Sequence, residues 1–559
     1  MNTRRSNRRI RLLLGLFVLV FAGTLGRAVW LQGVQAGTLE QMASRQHQTT
    51  TSIPAGRGTI FDRAGEPLAI GEQATTVYAD PRRVKNPRRV ALAAARELGV
   101  DANELYPLLA DRKRHFVYVR RKADPARAAA LEKLNLPGLG FYAEELRFYP
   151  KRGVAAHVLG FAGVDNKGLE GLERSLDRSL VGRPGSQTTV RDPSGRVIDV
   201  IATRPERAGE DVFLTIDHRI QAYAESVLRA TVKRWGAKGA SAVVLDPRTG
   251  AVLAMAVAPG FDANRFGQTP AGKRRNRVVT DVYEPGSTFK VVTVAAALSE
   301  KLVTPTTALM LDDQIRVADR IINEHEPRPT QRMTVAQILA QSSNVGTITL
   351  AQMLERSRVE RWIDRFGFGE PTRVDAPGEA RGLLPSYWSG STIGNVPLGQ
   401  GIGVTAIQMA AAYGAIANDG VYRKPYLVDR IGRERTDRGR GRRVLSKTVS
   451  AQMMAMLRDV VDAEGGTGAA AAVPGYTVAG KTGTAAKPVP GGYSTTKYVA
   501  SFVGIVPAKD PRLVVLVSVD EPSSTIWGGV VAAPAFAEIA GQSLAQLEIV
   551  PDANLVPAP

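Results

Sequence analysis

The sequence of 559 residues contains no cysteine. This absence excludes disulfide bonds, a cysteine nucleophile and any zinc site built on thiolate ligands. The sequence also has no Gly-x-Ser-x-Gly segment and no His-Glu-x-x-His segment. Their absence disfavours a hydrolase of the Ser-His-Asp type and a zinc protease. Only one stretch is long and apolar enough to cross a membrane, so at most one span is expected.

That stretch occupies residues 12–31 and follows a tail, residues 1–11, that is rich in arginine. A bilayer core needs about 20 apolar residues in a helix, so we predict a transmembrane anchor. The basic tail should stay in the cytoplasm, and the rest of the chain should be exported. A cleaved signal peptide is the alternative, but no good small-x-small cleavage site precedes Gln32. The N-terminus thus predicts a single-pass protein of the cytoplasmic membrane, with its bulk in the periplasm or outside the cell.

The chain is strongly basic, with 73 Lys and Arg against 53 Asp and Glu and a net charge of +20. A basic surface attracts nucleic acid, acidic lipid or an anionic polymer. Because the chain is expected outside the cytoplasm, we predict no nucleic-acid partner. The stretch Arg430–Arg443 contains seven arginines. We interpret this stretch as a solvated surface loop, and contact with acidic lipid or wall polymer is the alternative.

Composition divides the exported chain into two domains and a tail. Residues 32–210 mix short strand-like and helical runs, and a stretch rich in Gly, Pro and Arg places the boundary near residues 205–213. Residues 211–548 have strand runs at both ends and helical runs between them, which predicts an α+β domain with one antiparallel sheet against a helical layer. Residues 549–559 are assigned to the tail. The strand runs of the second domain are Ala240–Leu245, Ala251–Val257, Thr477–Ala485, Tyr498–Val506 and Leu513–Val519.

The first of three candidate motifs is Ser287-Thr-Phe-Lys290, which follows a Pro-Gly pair and precedes an apolar helical run. Ser287 is therefore expected at the start of a helix, where Lys290 shares its face. A serine hydroxyl needs an adjacent base to act as a nucleophile, and a lysine can be that base only when it is neutral. Taken alone, the motif is equally compatible with an ordinary helix start that carries a solvated lysine.

The second motif is Ser342-Ser343-Asn344, between helical runs predicted at residues 335–340 and 348–354. Its apolar flanks predict a buried turn, on which a hydroxyl and a carboxamide could pass protons and hold a substrate amide. Serine and asparagine are also common helix caps. The alternative is therefore that Asn344 merely caps the following helix.

The third motif, Lys481-Thr482-Gly483-Thr484, lies on a predicted strand. Lys481 supplies a cation, and the hydroxyls of Thr482 and Thr484 are suited to a carboxylate. A glycine in a strand, such as Gly483, often marks close approach of a ligand to the backbone. The N–H groups of Thr484 and Ser287 could form an oxyanion hole. The alternative is a plain edge strand with a solvated lysine.

Together and in this order, the three motifs resemble the set found in penicillin-binding proteins and β-lactamases. The resemblance extends from the anchor to about residue 545 and is nearest to the class B penicillin-binding proteins. Within that class the division (FtsI) type is the nearer resemblance, and the elongation type is the close alternative. The further segments that resemble the class are residues 273–292, Leu398–Thr405, Trp527–Pro534, Arg57–Gly65 and Gly168–Glu173.

The resemblance implies an α+β protein with a transmembrane helix, an elongated pedestal of the class B dimerisation type at residues 32–210, and a transpeptidase domain with a five-stranded antiparallel sheet at residues 211–548. It implies a peptidoglycan D,D-transpeptidase that crosslinks stem peptides ending in D-Ala-D-Ala through an acyl-enzyme on Ser287. Lys290 would take the serine proton, and Ser342 would relay a proton to the leaving D-Ala. The substrate-binding residues that it implies are Asn344, Lys481, Thr482, Gly483 and Thr484.

The resemblance implies no metal or organic cofactor. The partners that it implies are β-lactams, an FtsW-type glycosyltransferase, other division proteins and the membrane. A β-lactam-binding sensor or scaffold without turnover is an alternative from a different class. Such sensors usually have several spans and a zinc protease segment, and this sequence has one span and no such segment. A β-lactamase would be a shorter, soluble chain.

Overall fold

The computed structural model describes residues 3–35, 37, 48–191 and 197–553. The chain divides into two compact units, Met1–Gly56 with Gly182–Ala208 and Arg57–Val181 with Gly209–Pro559. Most of the predicted pedestal therefore belongs to the same compact unit as the C-terminal domain.

The first unit begins with a long apolar helix, Thr3–Val29, which continues as a π-helical turn, Trp30–Val34. The helical stretch Asn7–Val34 has a mean hydropathy of 2.1 and is long enough to cross a bilayer. This stretch contains the predicted span and suits a single-pass anchor. The unit also has an antiparallel sheet, whose strands are Gln48–Ile53, Gly185–Arg191 and Val197–Arg204.

In the second unit, a seven-stranded sheet joins the two predicted domains. Strand Val212–Leu214 pairs in parallel with Ile60–Phe61 and antiparallel with Val428–Ile431. The predicted boundary near residues 205–213 is therefore followed directly by a hydrogen-bonded connection between the domains. The other strands of this sheet are Pro67–Ala79, Val117–Ala123, Leu139–Phe148 and Glu434–Arg435. The helices that form a core with its outer strands are Pro87–Leu98, Ala102–Ala110 and Pro125–Glu132.

The arginine-rich stretch 430–443 contains strands that its composition did not predict. Arg430 lies in the sheet strand Val428–Ile431 and pairs with Arg435 in a tight hairpin. Its guanidinium lies 3.3 Å from the centre of the Phe213 ring, a cation–π contact that holds this arginine against the sheet. The remaining arginines of the stretch are exposed, as predicted for a solvated surface.

The two pedestal segments identified from sequence meet in a buried network of charges. The carboxylate of Glu173, which is fully buried, accepts hydrogen bonds from Arg57 at 2.7 Å and from Arg147 at 2.6 Å. Arg57 also contacts Asp177 at 2.7 Å. Burying charges is tolerable only when each is paired in this way. The network therefore ties the Arg57–Gly65 segment to the Gly168–Glu173 segment.

The C-terminal domain is built on a five-stranded antiparallel sheet, as predicted. Its strands, labelled in chain order, are β1 Gly239–Leu245, β2 Val252–Ala258, β3 Ala479–Val489, β4 Gly492–Val506 and β5 Leu513–Asp520. Their order across the sheet is β2-β1-β5-β4-β3, so β3 is an edge strand.

Helices cover both faces of this sheet, whereas one helical layer was predicted. In β1, Ala242 and Val244 join one hydrophobic core and Val243 and Leu245 join another. The helices on the first face are His218–Trp235 and Ala533–Gln546. The helices on the second face are Lys290–Ser299, Val335–Ala340, Asn344–Phe366, Ala406–Ala417 and Lys447–Asp462.

The second unit also contains several short elements. The short strand pairs are Phe161–Ala162 with Gly168–Glu170, Ala308–Leu311 with Gln331–Thr334, Gln314–Val317 with Arg320–Asn323, and Val421–Tyr422 with Arg442–Arg443. The short helices are Ala156–Leu159, Gly171–Ser175, Asp177–Leu180, Ala271–Arg274, Arg277–Thr280, Thr392–Asn395 and Gly528–Val531. The 3₁₀ turns are Ala263–Gln268, Gly286–Phe289, Val396–Leu398 and Ala469–Ala471.

The C-terminal domain continues into the residues that the sequence assigned to a tail. Ile549 is buried, and its carbonyl accepts a hydrogen bond from Tyr476. Asp552 accepts a hydrogen bond from the Thr477 backbone at 2.7 Å. The described part of the tail thus packs on the domain next to the start of β3.

Candidate active site

Ser287 lies on a 3₁₀ turn, Gly286–Phe289. The α-helix Lys290–Ser299 begins directly after the last residue of this turn. The turn depends on Gly286, whose φ of +53° lies in the left-handed region. A Cβ at that position would also lie 3.0 Å from the carbonyl oxygen of Thr484. Glycine therefore lets the serine turn pack directly against strand β3.

Lys290 is fully buried, and its ammonium donates to the side-chain oxygen of Asn344 at 2.8 Å and to Ser342 Oγ at 3.2 Å. It also donates to the Ser342 carbonyl. Burial lowers the pKa of Lys290 to about 7, although the nearby carboxylate of Glu324 raises it in part. The sequence predicted that Lys290 reaches the Ser287 hydroxyl. Among the described residues, however, no hydrogen bond joins the two side chains. Contacts of this kind often form only when substrate binds.

The Ser342-Ser343-Asn344 turn is buried between two helices, as predicted, but Asn344 is not the cap. Ser343 caps the helix Asn344–Phe366 by accepting from the backbone of Gly346 at 2.9 Å. The side-chain oxygen of Asn344 instead accepts a hydrogen bond from Lys290. Ser342 has a φ of +60°, which is strained for a residue with a side chain.

Lys481 lies on the edge strand β3 and is fully buried, so the alternative of a solvated lysine is wrong. Its ammonium donates to the carbonyl and hydroxyl of Thr482, each at 3.4 Å. Burial, followed by the positive charge of Lys290, lowers the pKa of Lys481 well below its usual value. The two lysines are thus close enough to influence each other electrostatically.

The two threonines of the third motif are held by neighbouring segments. The hydroxyl of Thr482 lies 2.8 Å from that of Thr467. The hydroxyl of Thr484 accepts a hydrogen bond from the backbone of Gly528 at 3.1 Å. Both hydroxyls therefore have fixed positions before any ligand is present.

Gly483 is needed for packing within the protein, and the close approach of a ligand at this glycine stays a prediction. A Cβ on Gly483 would lie 2.4 Å from Ser501 Oγ and 3.0 Å from the Pro285 carbonyl. The absent side chain thus allows β3 to contact both β4 and the serine turn.

These elements surround a single cleft of about 720 Å³. Four predicted site residues line it: Ser287, Ser342, Thr482 and Thr484. Lys290 and Lys481 are buried but contact this wall through Ser342 and Thr482 respectively. Asn344 joins the cluster through Lys290. Across the described residues, no group of three His, Asp or Glu side chains is arranged to hold a metal ion.

The cleft-lining residues that sequence reasoning missed include Glu324, His325, Thr467 and Trp527. The rings of His325 and Trp527 meet edge to face at 5.8 Å. Desolvation and the positive charges of Lys290 and Lys481 lower the pKa of His325. Trp527 lies in the segment Trp527–Pro534, which the sequence analysis identified by its resemblance, whereas no sequence signal identified Glu324.

The segment Leu398–Thr405, identified from sequence by its resemblance, supports the residues before Ser287. The Gly286 backbone donates to the Gly399 carbonyl at 3.1 Å, and Gly401 donates to the side chain of Glu284 at 2.9 Å. This segment thus holds the serine turn in place through hydrogen bonds.

Two protein families match the chain. The penicillin-binding protein dimerisation domain matches residues 52–214, and the penicillin-binding protein transpeptidase domain matches residues 240–541. Together with the site geometry, these matches define a protein with a dimerisation domain followed by a transpeptidase domain.

Individual relatives agree with this assignment. Peptidoglycan D,D-transpeptidase FtsI of Escherichia coli (strain K12) is 35% identical over 98% of this chain and 93% of that protein. The probable peptidoglycan D,D-transpeptidase PenA of Neisseria meningitidis serogroup A is 35% identical over 99% of this chain and 95% of that protein. The crystal structure of penicillin-binding protein 3 from Mycobacterium tuberculosis in complex with aztreonam has a TM-score of 0.71 and 30% identity, covering 91% of this chain and 100% of that one. The chain therefore belongs to the class B penicillin-binding proteins.

Proposed function

We propose that this protein is a serine-type peptidoglycan D,D-transpeptidase whose nucleophile is Ser287. The observation that carries the proposal is the convergence of Ser287, Ser342 and two threonines of β3 on one cleft. Two buried lysines contact that cleft, and the pKa of one, Lys290, is about 7. A lysine with this pKa is substantially neutral near pH 7 and can accept a proton.

In the first half-reaction, the Ser287 oxygen attacks the carbonyl of the penultimate D-Ala. The serine proton passes to Lys290, and the C–N bond to the terminal D-Ala breaks. The leaving amine takes that proton through Ser342, whose hydroxyl lies 3.2 Å from the Lys290 ammonium. The product is an ester between Ser287 and the donor stem, and splitting the reaction in this way gives two easier steps.

In the second half-reaction, an amine from a neighbouring stem attacks the ester carbonyl. The ester C–O bond breaks, and a proton from the amine returns to Ser287 through Lys290. A new amide crosslinks the two stems. In both steps, the backbone N–H groups of Ser287 and Thr484 would stabilise the charged oxygen. Contact between the serine turn and β3 at Gly286 supports this role.

The donor stem is proposed to bind along β3 and the Ser342–Asn344 turn. Lys481, with the hydroxyls of Thr482 and Thr484, would bind the terminal carboxylate, to which a buried cation and fixed hydroxyls are suited. One N–H of the Asn344 amide donates to the Asn323 carbonyl at 3.0 Å. The other N–H is left to hold the donor amide. Gly483 would contribute by keeping β3 close to the serine.

β-Lactams are proposed to acylate Ser287 because they mimic the D-Ala-D-Ala end. The related penicillin-binding protein 3 from Mycobacterium tuberculosis in complex with aztreonam supports this proposal. The ring amide would open as the Ser287 ester forms, and its nitrogen would take the serine proton.

The proposed setting is septal wall synthesis at the cytoplasmic membrane, with the N-terminus inside and residues after the anchor outside. The 35% sequence identity to FtsI of Escherichia coli supports the septal role. The arginines before the apolar helix support the orientation in the membrane. An FtsW-type glycosyltransferase and other division proteins are the proposed partners, and an elongation role is the alternative. Depletion in the source cell separates the two: filaments indicate division, and round cells indicate elongation.

The test of activity is crosslinking by the purified full-length protein. A nascent peptidoglycan polymer with D-Ala-D-Ala stems is supplied, and free D-Ala and crosslinked fragments are measured by mass spectrometry. We expect both products from wild type and from the control Ser226→Ala, which changes an exposed serine on a distant helix. Ser287→Ala should give neither. Equal product from Ser287→Ala would refute the proposal.

A further inference from the structure

Glu324, which follows the short strand Arg320–Asn323, is bound directly to the Ser342–Asn344 turn. Its side chain is 6% exposed. The carboxylate accepts from the backbone of Asn344 at 2.7 Å and from that of Val345 at 3.3 Å, and it also accepts from the Ser343 hydroxyl. These are the first N–H groups of a helix, which have no partner within the helix and favour a negative charge.

Arg328 donates a further hydrogen bond to this carboxylate. Its guanidinium donates to Glu324 at 2.9 Å from four residues further along the chain. The loop that carries Glu324 makes a second contact with the turn, because Asn323 accepts from the Asn344 amide. Both sides of Asn344, backbone and side chain, are therefore fixed by the same loop.

Through Asn344, this arrangement extends to the proposed base. Asn344 receives the Lys290 ammonium on its side-chain oxygen at 2.8 Å while Glu324 holds its backbone. The charged and titratable groups that face Lys290 are Glu324 and His325 from the loop and Lys481 from β3. Glu324 alone among these can bear a negative charge.

Glu324 and burial have opposite effects on the pKa of Lys290. Burial by itself would raise the pKa of Glu324, but hydrogen bonds from Ser343, Asn344 and Arg328 outweigh burial and lower it. Glu324 is therefore ionised near neutral pH and attracts the proton of Lys290. Burial of Lys290 acts in the opposite direction.

We infer that Glu324 is a positioning residue of the acylation step: it fixes the Ser342–Asn344 turn around Lys290, and its negative charge sets the pH at which Lys290 becomes able to accept a proton. This inference depends on the proposed function, because it assigns Glu324 to the same reaction. A purely structural carboxylate would fix the turn without moving that pH.

The test is the pH dependence of acylation of the full-length protein by a fluorescent penicillin. In Glu324→Gln the attraction for the proton is lost, so Lys290 loses its proton more readily. We expect the acid limb of the profile, where the rate rises with pH, to shift to lower pH by about half a unit or more. The plateau rate at high pH should also fall. In Arg328→Gln, Glu324 loses the positive charge that partly neutralises it and attracts the proton of Lys290 more strongly. We therefore expect the acid limb to shift to higher pH.

Two further variants separate this effect from folding and from net charge. Glu324→Asp keeps the charge and should leave the limb in place, even if the shorter side chain lowers the plateau. Glu538→Gln removes an exposed carboxylate on the helix Ala533–Gln546, outside the cleft, that makes no ion pair among the described residues. It should change neither quantity, although it alters the net charge by the same amount as Glu324→Gln.

A limb that stays fixed in Glu324→Gln would overturn the inference, whether or not the plateau falls. An equal shift in Glu538→Gln would also overturn it, because a general charge effect would then be sufficient. Failure of the proposed function has a different signature. In that case wild type would not be labelled, or Ser287→Ala would be labelled like wild type.

Discussion

The ammonium group of Lys290 lies 2.8 Å from the side-chain oxygen of Asn344. This contact joins the first motif, on the helix after the serine turn, to the second motif, at the start of another helix. The Ser342 hydroxyl lies 3.2 Å from the same ammonium. A proton that reaches Lys290 is therefore one hydrogen bond from the proposed relay. The following predictions depend on this cluster and on the parts of the fold that hold it.

Replacing Lys290 with methionine should remove the proposed base while nearly keeping the volume of the side chain. We expect Lys290→Met to lower the acylation rate with a fluorescent penicillin at least ~1,000-fold, because the serine then has no adjacent proton acceptor. A thermal melt should confirm that the variant is folded. Lys238→Met, which changes a lysine that is 64% exposed, should acylate at the wild-type rate. A comparable loss in that control would contradict the role of Lys290.

The acylation rate should depend on pH through Lys290. Because burial lowers the pKa of this lysine to about 7, its neutral fraction falls as the pH falls below 7. We expect the second-order rate to drop about tenfold per pH unit well below 7 and to level off above it. Stopped-flow acylation between pH 5.5 and 9 measures this profile. A rate that is constant down to pH 5.5 would exclude Lys290 as the base.

Gly286→Ala should damage the site more than an ordinary glycine substitution. The left-handed φ of +53° already disfavours a side chain, and a Cβ would also press on the Thr484 carbonyl at 3.0 Å. We expect a loss of stability of about 2 kcal/mol and at least ~10-fold slower acylation. Gly439→Ala is the matched control, because its φ is +60° but no atom lies within 4 Å of its Cβ. It should lose about 1 kcal/mol with no change in acylation.

The serine, the turn and the β3 strand could be predicted from sequence because each is local. Ser287 follows a Pro-Gly pair, and the Ser342-Ser343-Asn344 turn has apolar runs on both sides. The continuous apolar runs of β1 and β5 already indicated strands buried on both faces, although they were interpreted as covered on one. Helix and strand types were predictable because periodicity and turn residues report them directly.

Long-range arrangements could not be predicted in the same way. Glu324 lies 18 positions before Ser342 on a charged loop with no helical or strand period, so nothing local points to its contact with Asn344. The pairing of Val212–Leu214 with strands at residues 60–61 and 428–431 depends on contacts far apart in sequence. The full burial of Lys481 depends on what covers an edge strand, and a single strand pattern does not report that.

Glu173 in the pedestal should matter for stability because it neutralises two buried arginines, Arg57 and Arg147. We expect Glu173→Gln to destabilise the protein by about 3 kcal/mol or more, because it removes the carboxylate that pairs with the buried guanidinium of Arg147, whereas Arg57 keeps Asp177. Glu370→Gln, which breaks a pair whose side chains are about 70% exposed, should cost less than about 0.5 kcal/mol. Thermal and urea unfolding of the two variants in parallel compares them. Equal stability would contradict the role given to this network.

The most direct measurement is to locate the covalent adduct after the full-length protein reacts with a penicillin. Peptide mapping by mass spectrometry should place one penicilloyl group on the peptide containing Ser287, with no adduct in Ser287→Ala and very slow formation in Lys290→Met. An adduct on a different residue, or one that forms as fast without the Lys290 amine, would contradict the account.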